Sequence, residues 1–268
     1  MEKYEVSKTL GEGAFGMVML AFNKQEGNGI KLAIKMIKQN YRSWEECVKL
    51  RELRALKVLR HKRLVKLKEM ILERQQLYFV FEFVDSNWYQ MIVDRKRSGG
   101  SFSKMEIQRA MYQLIDGLAH MHKFGFFHRD IKPENLLCNT DGTDLKIADF
   151  GLAREIRSRP PYTDYVSTRW YRAPEVIIND PAYSSPVDIF ACGCIFAELY
   201  TLQPLLPGKT AMDQLDKTLK LVGSPTPNNW PEGIRIANTQ MPPIRFPNYG
   251  NGKNLSEVVP QAGSDAIT

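Results

Sequence analysis

The chain contains the stretch His128-Arg129-Asp130-Ile131-Lys132-Pro133-Glu134-Asn135, followed by Asp149-Phe150-Gly151. A carboxylate at Asp130 can accept the proton of an attacking hydroxyl group, and Lys132 can face a phosphoryl group during transfer. Asn135 and Asp149 offer the hard oxygen ligands that Mg²⁺ binds, while phosphate oxygens and water fill its other positions. Each triplet alone is also an ordinary charged or tight turn. Together and in this order they predict a magnesium-nucleotide site.

A glycine-rich segment lies upstream of this stretch, where residues 10–18 read LGEGAFGMV. The same glycine spacing occurs in dinucleotide-binding turns, but those open a helix and carry an acidic residue further on. Here residues 18–22 have a strand pattern, and Lys35 stands near the position of that acid. The segment therefore predicts a flap whose backbone amides approach phosphates. Its members are Leu10, Gly11, Glu12, Gly13, Ala14, Phe15, Gly16, Met17 and Val18.

A short strand and a helix complete the predicted phosphate side of the site. Strand alternation points Ala33 and Lys35 to one face, where Ala33 leaves room for an adenine ring and Lys35 binds phosphates. Residues 43–59 have helical spacing with Ser43 as the cap, and Glu52 faces the site and pairs with Lys35. The alternative is that Lys35 is a solvent-facing lysine and Glu52 one of several surface acids.

A buried strand at residues 77–84 ends in a polar connector, which predicts a join between a strand-rich part and a helical remainder. Ligand clefts tend to occur at such joins. Backbone groups of Glu82 and Val84 can then bond an adenine edge, with Phe81 closing the pocket and Leu137 forming its floor. The spacing also predicts a long helix over residues 102–124 and a hairpin over residues 136–148.

Composition fits one large domain or two lobes, since the chain has 268 residues of which 43% are hydrophobic. The net charge of +7 comes from basic residues interleaved with acidic and apolar ones, so a solvated surface is favoured over a nucleic-acid interface. Cys47, Cys138, Cys192 and Cys194 lack metal-ligand spacing and are expected to be reduced thiols. No run approaches a membrane span, which predicts a soluble, intracellular protein without membrane contact.

These motifs, with Ala173-Pro174-Glu175, resemble the protein-kinase pattern over about residues 4–260. Ile131 replaces the usual leucine, and Lys132-Pro133-Glu134 is typical of the serine/threonine branch. The resemblance implies a bilobal α+β fold over residues 4–268, with a small, mostly β lobe (4–84) carrying one key helix and a larger, mostly α lobe (85–268). It implies ATP and Mg²⁺ as cofactors, and Asp188 as the residue that binds the backbone at His128 and Arg129. The implied catalytic residues are Asp130, Lys132, Lys35 and Glu52.

Finer features resemble the proline-directed (CMGC) group of cyclin-dependent and mitogen-activated kinases. Residues 170–175 (WYRAPE) resemble its peptide-binding turn, and Thr163-Asp164-Tyr165 resembles a doubly phosphorylated activation loop. Residues 44–47, 126–130 and 154–165 look most like the male germ cell-associated and ciliogenesis-associated kinases. This implies protein substrates with Ser/Thr-Pro sites, an upstream kinase acting on Thr163, autophosphorylation of Tyr165, and a cytoplasmic, ciliary or nuclear location.

Electrostatics predicts how such a loop would switch. Each phosphate adds roughly −1.5 to −2 charges, and Arg129, Arg169 and Arg172 are the forked donors that could clamp it. The alternative is a polar loop with an incidental threonine and tyrosine. The tip of the glycine flap lacks hydroxyl groups, which excludes the inhibitory phosphorylation known in cyclin-dependent relatives. The helix after residue 43 lacks their cyclin-docking sequence, so no cyclin is expected.

The C-terminal end departs from the pattern. Such kinases continue through further helices that carry an arginine paired with the glutamate of Ala-Pro-Glu, whereas this sequence stops at Thr268. We expect an incomplete C-terminal lobe and a Glu175 that is unpaired or finds a different partner. Losing one member of a buried pair costs about 3–5 kcal/mol. The second hypothesis for function is therefore a nucleotide-binding pseudoenzyme or scaffold.

Overall fold

A five-stranded antiparallel sheet forms the N-terminal part of the protein. The computed structural model describes residues 1–13, 16–25, 29–155 and 168–267. The strands are β1 (Tyr4–Gly13), β2 (Gly16–Asn23), β3 (Lys31–Asn40), β4 (Leu67–Glu73) and β5 (Gln76–Glu82), in the order β1-β2-β3-β5-β4. Alternation along β3 buries Leu32 and Ile34 in an outer cluster with Val80, so that Ala33 and Lys35 face the opposite side.

Two helices, and not one, connect β3 to β4. They are α1 (Trp44–Cys47) and α2 (Arg51–Val58), so the single helix predicted over residues 43–59 is wrong. Apolar side chains that contact the core recur here every three residues, at 47, 50, 53 and 56. Three residues turn an α-helix by only about 300°, so a continuous helix would rotate this stripe away from the core. Tighter i→i+3 bonds at Lys49 and Leu50 restore its direction. Ser43 makes no side-chain cap bond.

The remainder of the chain is mostly helical. Its strands are β6 (Ser86–Asn87), β7 (Phe126–Phe127), β8 (Leu136–Cys138), β9 (Leu145–Ile147) and β10 (Arg154–Glu155). Its helices are α3 (Trp88–Arg97), α4 (Lys104–Lys123), α5 (Pro174–Ile177), α6 (Pro186–Thr201), α7 (Ala211–Val222), α8 (Pro231–Thr239), α9 (Leu255–Val258) and α10 (Ser264–Ile267). The predicted long helix is confirmed as α4, where Ser103 and Glu106 form a reciprocal capping box. The hairpin of β8 and β9 is also confirmed.

The main core runs from the sheet into the helical part, so the two parts form a bilobal α+β fold, as predicted. Phe79 and Leu77 of β5 belong to the same buried cluster as Leu114 of α4 and Ile195 of α6. All four cysteines are buried and free. Burial raises the pKa of the Cys138 thiol to about 12, which keeps it protonated and unreactive. Within the described ranges, no helix is long and apolar enough to cross a membrane.

Candidate active site

A cleft of about 750 Å³ lies between the sheet and the helical part. Residues from the glycine segment, β3, α2, the end of β5 and the motif around Asp130 all line this cleft. Those predicted for the site and found in its lining are Leu10, Gly11, Glu12, Gly16, Val18, Ala33, Lys35, Glu52, Glu82, Val84, Asp130, Lys132, Asn135, Leu137 and Asp149. Met17 lies in β2 but outside the lining, Gly13 ends β1, and Ala14 and Phe15 lie outside the described residues.

Gly16 is required by the sheet itself. A Cβ at this position would stand 2.0 Å from the carbonyl oxygen of Met36, whereas a Cβ at Gly11 would meet nothing within 4 Å. From the sequence, all the flap glycines were predicted to have one role, the approach of phosphates. At Gly16 the structure adds the close approach of β2 to β3.

Lys35 lies between two carboxylates. Its Nζ is 2.8 Å from Glu52 Oε1 and 2.8 Å from Asp149 Oδ1, and the residue is only 7% exposed. Burial lowers the pKa of Lys35, but attraction to Glu52 and Asp149 outweighs burial and raises the pKa above its ordinary value. The lysine is therefore a fixed cation on the phosphate side of the cleft, and the predicted pairing with Glu52 is confirmed.

Asp149 stays ionised in the folded protein. Burial raises the pKa of its carboxyl group, but the charge and hydrogen bond of Lys35, with smaller effects of His128 and the Gly151 N–H, lower the pKa to about 2. Its backbone is left-handed, with φ of 62°. Such a conformation costs a non-glycine residue about 1–3 kcal/mol and is common at functional sites.

Asp130 is oriented by two side chains of its own motif. Lys132 Nζ lies 2.9 Å from Asp130 Oδ2, and the Asn135 amide nitrogen donates to the same oxygen at 3.1 Å and to the Asp130 carbonyl at 2.8 Å. Because Asn135 commits its nitrogen in this way, its amide oxygen is the atom offered to a ligand. Asn135 and Asp149 thus present an amide and a carboxylate oxygen, the donor set that suits Mg²⁺. The described residues contain no group of three or more His, Cys, Asp or Glu side chains with metal-binding geometry.

Asp188 of α6 holds the backbone that carries Asp130. It is 1% exposed and accepts hydrogen bonds from the N–H groups of His128 and Arg129, each at 2.8 Å. This confirms the contact that the resemblance implied. His122 of α4 also lies 2.8 Å from the Asp188 carboxylate, a contact that sequence reasoning missed. His122 stands in the last turn of α4 with no motif of its own, so nothing in the sequence indicated it.

The end of β5 is fixed on the side away from the cleft. The Glu82 N–H donates to the Lys66 carbonyl at 3.1 Å. Its side chain bonds Lys146 Nζ through both carboxylate oxygens at 2.9 Å. Nothing in the sequence around either residue indicated this ion pair. Phe81, 9% exposed, lines the cleft beside it, where it was predicted.

The residues predicted to be regulatory are only partly brought together. Arg129 and Arg172 line a small cavity beside Asp130, while Arg169 is not among the residues that line it. Thr163 and Tyr165 lie outside the described residues. Glu175 makes no ion pair or side-chain hydrogen bond with a residue of the described ranges, and burial raises the pKa of its carboxyl group.

Comparison with known proteins agrees with this geometry. A family profile described as "Protein kinase domain" matches residues 4–242. Serine/threonine-protein kinase ICK of Mus musculus is 51% identical over 270 residues, which cover 100% of this chain and 41% of the relative. Serine/threonine-protein kinase MAK of Homo sapiens is 48% identical over 268 residues, covering 100% and 41%. Cyclin-dependent kinase F-3 of Oryza sativa subsp. japonica is 48% identical over 273 residues, covering 100% and 59%. The chain thus spans about two-fifths of the length of ICK and MAK.

Proposed function

Since the chain belongs to the protein kinase family, we propose that it transfers the γ-phosphoryl group of MgATP to serine and threonine residues of protein substrates. One observation carries the proposal: Lys35 Nζ lies 2.8 Å from both Glu52 and Asp149, in the same cleft as Asp130 and Asn135. The cleft therefore holds every group that phosphoryl transfer requires of a protein kinase: a cation for the phosphates, ligands for the metal ion and a general base.

The chain's own residues would divide the work as follows. Asp130, held by Lys132 and Asn135, accepts the proton of the substrate hydroxyl group as that oxygen attacks. Lys35 binds the nucleotide phosphates, and Glu52 keeps the lysine in position. Lys132 faces the transferred group. Asn135 and Asp149 would hold Mg²⁺, which neutralises charge on the phosphate oxygens when it is bound.

The adenine base of ATP would lie between the two lobes, residues 4–84 and 85–268. The Glu82 carbonyl and the backbone of Val84 would meet its polar edge, since both residues line the cleft. Ala33 lies on one side and Leu137 on the other. The glycine segment, residues 10–18, would cover the phosphates.

We extend the proposal to the substrate sequence and to regulation by phosphorylation. The WYRAPE turn and the likeness to ICK, MAK and a cyclin-dependent kinase support Ser/Thr-Pro sites. Phosphorylation of Thr163 by an upstream kinase and of Tyr165 by the protein itself would add charge that Arg129 and Arg172, beside Asp130, can bind. A cyclin is not required in this scheme, and a cytoplasmic or ciliary location fits the likeness to ICK and MAK.

The test is transfer of label from γ-labelled ATP to a Ser-Pro peptide and to a matched Ser-Ala peptide. Asp149→Asn should lose transfer by at least about a hundredfold, since the variant keeps an oxygen but loses the charge. Asp94→Asn, an exposed carboxylate of α3, serves as the control and should match the wild type. Transfer by Asp149→Asn at the wild-type rate would refute the assignment. Equal rates on both peptides would refute proline direction alone.

A further inference from the structure

Three segments meet on the outer side of the cleft, behind the end of β5. They are the turn of residues 63–66, Glu82 at the end of β5, and Lys146 with Ile147 in β9. The Ile147 N–H donates to the Arg63 carbonyl at 2.8 Å, and the Val65 N–H donates to the Ile147 carbonyl at 2.9 Å. The turn is therefore bonded to β9 through two backbone hydrogen bonds.

Glu82 closes this arrangement from the N-terminal lobe. Its N–H donates to the Lys66 carbonyl at 3.1 Å, and its Oε1 accepts the Lys66 N–H at 2.8 Å. Lys146 Nζ, from the C-terminal lobe, lies 2.9 Å from each Glu82 carboxylate oxygen. We name Lys66, Glu82 and Lys146 the hinge junction. It joins the two lobes by a charged contact on the face of β5 opposite the cleft.

Each segment of the junction leads directly to a different part of the site. Glu82 precedes the connector that carries Val84. β9 runs into Ala148 and Asp149, which line the cleft. The turn of residues 63–66 follows α2, which carries Glu52. The junction therefore sets how far the base-binding backbone stands from the metal-binding side of the cleft.

We infer that Lys146 is a positioning residue for nucleotide binding, acting through Glu82 to fix the end of β5 against the C-terminal lobe. The inference rests on the proposed function. The side chains of Lys146 and Glu82 are only 21% and 24% exposed, so solvent does little to screen the pair. Removing the lysine leaves a mostly buried carboxylate with one backbone N–H as its partner, and the end of β5 should then shift or loosen.

The effect should fall on nucleotide affinity and spare the chemical step. Asp130 stands on backbone that Asp188 anchors separately, and no residue of the hinge junction takes part in that anchor. A positioning role thus predicts a higher KM for ATP at nearly unchanged kcat. A merely structural role predicts a lower Tm, and a smaller folded fraction lowers apparent kcat without changing KM.

The experiment compares Lys146→Met with the wild type, with Lys146→Arg, and with Lys3→Met. Lys3 is the control, because its Nζ also lies within 3 Å of a glutamate, 2.8 Å from Glu69, in a more exposed pair (36% and 34%) away from the cleft. For each protein we measure KM for ATP and kcat at saturating peptide, the Kd of Mg-AMP-PNP by calorimetry, and the Tm.

We expect Lys146→Met to raise KM for ATP and the Kd at least fivefold, with kcat within twofold of wild type. Lys146→Arg should recover most of the affinity, and Lys3→Met should change neither constant. A KM and Kd for Lys146→Met within twofold of the Lys3→Met values would overturn the inference, whatever happens to Tm. Wild-type protein that binds Mg-AMP-PNP but transfers no phosphate overturns the proposed function alone, since the Kd comparison still decides the inference. Wild-type protein that binds no nucleotide overturns both.

Discussion

Glu198 of α6 is a buried carboxyl group, and we expect Glu198→Gln to stabilise the protein increasingly as pH rises. The residue is 3% exposed, and the one hydrogen bond that its carboxyl group makes among the described residues comes from the Tyr171 hydroxyl at 2.7 Å. Burial raises the pKa of Glu198 from 4.5 to about 7; the Tyr171 hydrogen bond opposes this effect and the nearby charge of Glu134 adds to it. At neutral pH the folded protein therefore contains a carboxyl group that would ionise more readily in the unfolded chain.

The sign and size follow from linkage between protonation and folding. Because the pKa of the folded state is the higher one, the stability associated with Glu198 is fully present below pH 4.5 and is lost as pH rises through about 7. Each pKa unit is worth about 1.4 kcal/mol, so complete ionisation costs about 3 kcal/mol. Most of that loss, about 2.5 kcal/mol, falls between about pH 5 and pH 8. Glutamine keeps an oxygen for the Tyr171 hydroxyl but cannot ionise.

The assay is the difference in Tm between variant and wild type, by scanning fluorimetry at several pH values from 5 to 8. At about 2–4 °C per kcal/mol for a chain of this size, Glu198→Gln should gain about 6–12 °C at pH 8 and only about 2–3 °C at pH 5. Tyr171→Phe should lower the Tm further at pH 8, because it removes the one hydrogen-bond donor to the Glu198 carboxylate. Glu257→Gln, an exposed glutamate of α9, is the control and should show a flat difference. A Tm difference for Glu198→Gln that is equal at pH 5 and pH 8 would refute the reasoning.

The remaining predictions concern other parts of the fold. Gly16→Ala should lower Tm by several degrees, because the added Cβ would clash with the Met36 carbonyl. At Gly193 in α6 an added Cβ would contact nothing within 4 Å. Gly193→Ala should therefore raise Tm by about 2–4 °C, since alanine gains about 1 kcal/mol of helix propensity over glycine. Burial, with smaller effects of His61 and Lys123, lowers the pKa of His120, so the stability linked to this ring is present above pH 6.5 and lost as pH falls through its folded pKa. His120→Phe keeps an aromatic ring to stack on His61 and should reduce the fall in Tm between pH 7 and pH 5. Lys35→Met should abolish phosphoryl transfer and weaken Mg-AMP-PNP binding in calorimetry, because it leaves Glu52 and Asp149 facing the phosphates uncompensated.

The family and the bilobal α+β fold were both predicted from the sequence, and both are confirmed. The resemblance to the male germ cell-associated and ciliogenesis-associated kinases, stated from short stretches of sequence, is confirmed by identities near 50% to ICK and MAK over the whole chain. Lys35 and Asp149 could be assigned to one site because each stands in a motif whose chemistry is recognisable from its neighbours, and Glu52 because helical spacing turned it toward that site. The structure places them within hydrogen-bonding distance.

The contacts that sequence reasoning missed are those without a local pattern. Lys146 and Glu82 are 64 residues apart, and each looks like an ordinary charged residue at a strand position. The break between α1 and α2 was missed because apolar residues in this segment also recur at spacings of three to five residues, which fit one continuous helix. In both cases tertiary packing, and not local propensity, decides the outcome.

The backbone of the site shows why the two motifs, residues 128–135 and 149–151, could not have been sufficient by themselves. Arg129 and Asp149 both adopt left-handed conformations, with φ of 75° and 62°, which local propensity disfavours. At Arg129 the compensation comes from Asp188, 59 residues further on, which accepts the Arg129 N–H, and at Asp149 it comes from Lys35, 114 residues earlier. The two motifs supply the chemical groups, but their geometry depends on α6 and β3 being in place. A short peptide of the motif sequence would therefore not adopt this backbone, and changes in α6 far from the cleft should alter the position of Asp130.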